Sequence, residues 1–178
     1  ASLMKYATST IKRISLELGG NAPFIVFEDA DIDNAVLGAI AGKFRNSGQT
    51  CVSINRFYVQ ESIYQQFVDK LTEAVQKLKV ADGFEPGSQV GPLINQKAIQ
   101  KVQHHVEDAI QKGAIIQTGG KVIHGNFFEP TVLSNMLKSS LVSTEETFGP
   151  ICAIFKFKTE QEVLKLANET PFGLAAYV

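Results

Sequence analysis

Six strand-like runs alternating with amphipathic segments predict an α/β fold, with an open, largely parallel sheet and helices on both faces. Three observations carry this reading. The strand-like runs are short and rich in β-branched and aromatic residues. The segments between several of them repeat apolar residues with a period near 3.6. No internal repeat, low-complexity stretch or long linker divides the chain, so residues 1–178 read as one domain.

In chain order, the runs are ISLEL (14–18), PFIVF (23–27), NRFYVQ (55–60), AIIQTG (114–119), FFEPTVL (127–133) and ICAIFKF (151–157). The first helix carries Val36, Ile40 and Phe44 at i, i+4 and i+8, with Asp29 and Asp31 as candidate N-terminal caps. The second places Ile63, Phe67, Leu71, Ala74, Val75 and Leu78 on one face. The third shows Ile99, Val102, Val106, Ala109 and Ile110, capped by Asn95 and stopped by Gly113. A short fourth helix follows Thr159, with Val163, Leu164 and Ala167. The opening stretch reads as the tail of a helix running into ISLEL, and the closing FGLAAYV as a strand-like run, so both ends look cut.

Composition excludes some functions. Seventeen Lys and Arg against 18 Asp and Glu leave a net charge of −1, with no basic excess to grip nucleic acid. The longest apolar run, AVLGAIAG, falls far short of the roughly 20 residues that span a bilayer, so no membrane partner is expected. Two cysteines make no disulfide framework and point to a reducing compartment, the cytoplasm.

Those cysteines sit in different surroundings. Cys152 lies in apolar GPICAIFKF and reads as a core thiol. Cys51 follows Asn46, Ser47, Gly48, Gln49 and Thr50, all small or polar. A free thiol is ordinarily buried and inert, but this stretch would project Cys51 into a polar loop where a ligand can approach, leaving a reactive role open. Histidine partners are poorly supplied. His104 and His105 are adjacent on a helix, about 100° apart, and His124 lies in turn-like VIHGN, so all three read as solvated surface. Neither a Cys–His hydrolase nor a metal site is supported. Glu17 interrupts the apolar residues Ile14, Leu16 and Leu18 just before Gly19 and Gly20. It either faces water or stands at a strand end as a general base. No glycine-rich phosphate cradle appears, and TGGK (118–121) reads as a turn.

Together, LELGGN around Glu17, GQTC ending at Cys51 and EETFGP (145–150) resemble three signatures of the NAD(P)-dependent aldehyde dehydrogenases, in the family's order and separation. PFIVFEDADID, VGPLIN and ETPFGLAAYV extend the resemblance along the chain. It implies that Cys51 attacks an aldehyde carbonyl and is left as a thioester after hydride passes to NADP or NAD. Glu17 would then activate the hydrolytic water, and the Cys51 N–H would form half of an oxyanion hole. Leu18 resembles the residue whose backbone lies against the nicotinamide, Glu146 the one binding the nicotinamide-side ribose, and Phe148 one packing near the cofactor. Arg45 stands six positions before Cys51, as in the succinate-semialdehyde branch, where it clamps the substrate's far carboxylate. Glutarate semialdehyde, one methylene longer, stays open.

Ser53 replaces the second cysteine with which some members form a redox disulfide. The resemblance further implies a truncated catalytic domain, inactive alone, from a homo-oligomeric parent (dimer or tetramer) whose cofactor-binding domain lies mostly before residue 1. A cofactor-independent thiol esterase and a non-catalytic oligomerisation module remain as alternatives.

Overall fold

The computed structural model describes residues 2–178. A five-stranded sheet runs in the order β1 (Ala22–Val26), β2 (Ile54–Gln60), β7 (Ile151–Phe157), β6 (Thr131–Ser134) and β3 (Ile115–Thr118). The first three pairings are parallel and the last, between β6 and β3, is antiparallel. A short ribbon of β4 (Val122–His124) and β5 (Phe127–Phe128) stands beside it.

Helices cover both faces, and strand alternation sorts the core into two layers. On one face, α2 (Ile32–Phe44) and α3 (Tyr64–Gln76) pack over Phe24, Phe57, Val59 and Ile154. On the other, α4 (Gln96–Gln111) and α6 (Glu160–Asn168) pack over Tyr58, Ile151, Ala153, Phe155 and Phe157. Each large apolar side chain buried outright, such as Phe67 or Leu71, contributes about 1.5–3 kcal/mol. The helix starts follow local chemistry. Asp31 accepts from the N–H groups of Asp33 and Asn34, Asn95 from Ala98, and Thr159 from Glu162.

Three expectations are corrected. ISLEL is not a strand: residues 12–21 have no regular structure, and no strand among the described residues pairs with them. The helix before it, α1 (Ser2–Thr8), buries none of its residues. FFEPTVL is two strands, because Pro130 has no N–H to give a ladder. Its first half pairs with β4, its second with β7 and β3. FGLAAYV forms only a bridge to the sheet edge. There Ile25 N–H donates to the Tyr177 carbonyl at 2.9 Å and Tyr177 N–H to the Pro23 carbonyl at 3.0 Å.

Arg56 on β2 is fully buried and ties several elements together. Its guanidinium donates to the Asn21 carbonyl (2.8 and 3.1 Å), to the Leu166 carbonyl (2.9 Å) and to the Ala167 carbonyl (3.0 Å). The last two belong to the C-terminal turn of α6, whose partial negative charge suits a cation. Arg56→Met leaves these carbonyls without a donor. It is expected to cost about 3 kcal/mol, read as a lower urea midpoint together with faster hydrogen exchange in α6.

Candidate active site

The segment between α2 and β2 carries Cys51 and is held in an uncommon conformation. Asn46 (φ 50°), Ser47 (φ 57°) and Gly48 (φ 76°) are successive left-handed residues. For the two that are not glycine this costs about 1–2 kcal/mol each. Anchors from several directions impose it. Ser47 Oγ donates to the Gly91 carbonyl at 2.9 Å, and the Gln49 side chain accepts from Ile94 N–H at 2.9 Å. Tyr177 Oη donates to the Val52 carbonyl at 2.8 Å.

Lys43 closes the base of the same loop. It is buried at the end of α2, and its Nζ donates to the Ile54 carbonyl at 2.8 Å, bridging the residues on either side of the loop. Burial pulls its amine down to about 8, opposed by the neighbouring Cys152 and Glu146. Cys152 is fully buried, and burial pushes its thiol up to about 12, so it remains a protonated core residue at neutral pH. Cys51 is half-buried and unpaired by disulfide.

Three distant segments meet at this loop. A Cβ on Gly20 would stand 1.9 Å from the Cys51 carbonyl oxygen, and one on Gly48 would stand 2.2 Å from the Gly149 carbonyl oxygen. Both positions exclude any side chain. Gly20 also donates its N–H to Glu146 Oε1 at 2.9 Å, so one glycine touches both the thiol-bearing residue and the carboxylate. Asn55, buried at the start of β2, completes the junction. Its amide nitrogen donates to Asn21 Oδ1 (2.7 Å), the Val142 carbonyl (2.8 Å) and the Glu145 carbonyl (3.0 Å), while its Oδ1 accepts from Thr147 N–H (3.0 Å).

The structure thus brings Cys51 and Glu146 to the two sides of Gly20. Glu17 and Leu18 are exposed on the irregular segment leading into that glycine. Three residues reach at most about 11 Å, which tethers Glu17 near the Cys51 loop. Phe148 has φ 55°, rare for an aromatic residue, and lines a cleft of about 510 Å³ with Asn46, Gln49 and Pro92. Arg45 is exposed where α2 gives way to the turn, and its guanidinium has no hydrogen-bond partner among the described residues.

The expectation of three solvated histidines is corrected at one position. His104 and His105 diverge as adjacent helix residues must, with His104 exposed and His105 wholly buried against Glu145 and Thr147. Lys43, Asn55 and His105 belong to the site although no motif marks them, and the sequence carries a weaker signal for each. Lys43 continues the buried stripe of Val36 and Ala39 at i, i+3 and i+7, and His105 falls between Val102 and Ala109 on the buried face of α4. Asn55 and Arg56 place two polar residues just after Ile54, ahead of the apolar run Phe57, Tyr58 and Val59.

The fold and the site define a class. The aldehyde dehydrogenase family matches residues 1–178, and the chain belongs to that family. Among its relatives, it is 57% identical over 175 residues to a glutarate-semialdehyde dehydrogenase of Pseudomonas putida, covering 98% of this chain and 36% of that protein. It is 55% identical over 177 residues to the NADP(+) succinate-semialdehyde dehydrogenase GabD of Escherichia coli, covering 98% of this chain and 37% of that one. The crystal structure of succinate-semialdehyde dehydrogenase from Burkholderia pseudomallei superposes with a TM-score of 0.94 at 56% identity, over 99% of this chain and 37% of that chain. The chain therefore spans a little over a third of the length of these relatives.

Gly20→Ala forces a methyl group into a backbone carbonyl that has no free rotation to escape. It is expected to cost about 1–3 kcal/mol in thermal unfolding, whereas Gly83→Ala, which meets nothing within 4 Å, leaves stability unchanged.

Proposed function

We propose that these residues form the catalytic part of a longer enzyme that oxidises a carboxylated aldehyde, succinate or glutarate semialdehyde, to the acid. The observation that carries this reading is the meeting at Gly20, which joins the Cys51 carbonyl to the Glu146 carboxylate. Support also comes from the relatives, whose names specify those two semialdehydes.

The Cys51 thiolate adds to the aldehyde carbon, and the carbonyl electrons move to oxygen to give a hemithioacetal alkoxide. The Cys51 backbone N–H stabilises that oxygen; losing one such donor typically slows a reaction by about 10²–10³. A nicotinamide cofactor held beside Leu18, Glu146 and Phe148 would supply the acceptor for the hydride that the hemithioacetal carbon gives up. The C=O double bond re-forms and leaves an acyl thioester on Cys51. Glu17 takes a proton from water, the oxygen attacks the thioester, and the C–S bond breaks to release the acid and restore the thiolate.

Residues suited to the cofactor lie around Gly19 and Gly20, where the absence of side chains lets the Glu146 carboxylate approach the backbone. A Cβ on Gly19 would stand 3.2 Å from Glu146 Oε2. Leu18 would offer its backbone to the nicotinamide, Glu146 would accept from the ribose hydroxyls, and Phe148 would pack alongside. NADP is favoured over NAD by the relatives named for NADP(+). The exposed, unpartnered guanidinium of Arg45 suits the far carboxylate of the substrate as a bidentate donor. We further propose a homo-oligomeric assembly and a cytoplasmic location, where a nucleophilic thiol stays reduced.

Substituting Arg45 with Leu in the full-length enzyme is expected to raise KM for succinate semialdehyde by about 10–100-fold. KM for an uncharged aldehyde such as propanal should stay the same. Equal effects on both aldehydes would contradict the assigned role, and full turnover by Cys51→Ser would contradict the reaction itself.

A further inference from the structure

The loop from Glu145 to Gly149 has no regular structure, yet it carries the carboxylate assigned above to the cofactor. On one side Asn55 holds it, through the Glu145 carbonyl and the Thr147 N–H. On the other side stands His105, wholly buried on α4. Its Nδ1 lies 3.1 Å from Thr147 Oγ1 and its Nε2 lies 3.3 Å from Glu145 Oε2. A carboxylate only accepts, so Nε2 carries the proton and donates to Glu145, and Nδ1 accepts from the Thr147 hydroxyl. The ring therefore grips the residues immediately before and after Glu146, and leaves Glu146 itself facing Gly19 and Gly20.

We propose that His105 is a positioning residue for cofactor binding: through Glu145 and Thr147 it fixes the loop so that Glu146 points at the nicotinamide-side ribose. This rests on the assignment of Glu146 made under Proposed function. The ring must be neutral to serve both partners in this way, because a second proton on Nδ1 removes the acceptor that Thr147 uses. The groups around it bear on that state. Burial disfavours the cation, the Glu145 carboxylate favours it, and Lys101 and His104 on the same helix oppose it; the net effect lowers the His105 pKa below its usual range. The neutral, gripping form accordingly holds at neutral pH and is lost only on acidification.

The test measures cofactor KM, aldehyde KM and the rate of Cys51 alkylation without cofactor, in the full-length enzyme. It compares the wild type with His105→Phe, His105→Gln and Glu146→Gln, from about pH 4.5 to 8.5. His105→Phe is expected to raise cofactor KM about tenfold, leaving aldehyde KM and Cys51 alkylation unchanged, with His105→Gln recovering part of the loss. Wild-type cofactor KM is expected to rise on the acid side of about pH 6.5, and that rise should vanish in His105→Gln. Cofactor KM unmoved in Glu146→Gln would remove the assignment of Glu146. Cofactor KM raised in Glu146→Gln but not in the His105 variants would overturn the role of His105 alone. Parallel losses in all three measurements, or acid limbs that match in wild type and His105→Gln, would also overturn it. Should His105→Phe fail to fold, His105→Gln and the wild-type pH profile still decide the matter.

Discussion

The approach of Gly20 to the Cys51 carbonyl organises the rest of the site. Backbones come this close only where no Cβ intervenes, and the same device recurs where Gly48 meets Gly149. Through these two contacts the segment before β1, the loop before β2 and the loop before β7 become one surface, although the first and last are more than a hundred residues apart. The parallel sheet makes this possible. β1, β2 and β7 are adjacent and parallel, so the segments entering them gather at the amino ends of these strands.

Holding that surface requires buried polar groups, each with its partners. Lys43 clasps the Cys51 loop, Asn55 joins the segments entering β1 and β7, Arg56 secures Asn21 to α6, and His105 grips the loop around Glu146. Satisfied networks of this kind rigidify a structure, and the same groups left unpaired would be costly. The left-handed run of Asn46, Ser47 and Gly48 shows what they counter: a loop that would relax if its anchors at Gly91, Ile94 and Ile54 were lost. The segment presenting Glu17 contrasts with this. It is exposed on both sides of that residue and is anchored at Gly20 and Asn21.

Much of this was legible in the residues. Helices α2, α4 and α6 declared themselves by periodicity and by the caps Asp31, Asn95 and Thr159, because both signals are local. ISLEL failed because alternation reports a tendency to pair, whereas a strand also needs a neighbour, which no local pattern supplies. FFEPTVL divides at Pro130, whose missing N–H is visible in the sequence. Among the candidate site residues, Cys51 stood out through its polar neighbours. The relation between Gly20 and Glu146 could not be read, since it depends on which strands adjoin. Lys43 and His105 are residue types that suggest exposure, and only the helical stripe contradicts it.

On the proposed mechanism, Cys51 holds the acyl group until Glu17 directs water onto it. Mass spectrometry of the full-length enzyme carrying Glu17→Gln, quenched in acid after mixing with succinate semialdehyde and NADP, tests this most directly. The account predicts a succinyl group on the peptide containing Cys51, accumulating in the variant and scarce in the wild type. Unmodified Cys51 under these conditions, or acylation at another residue, would contradict it.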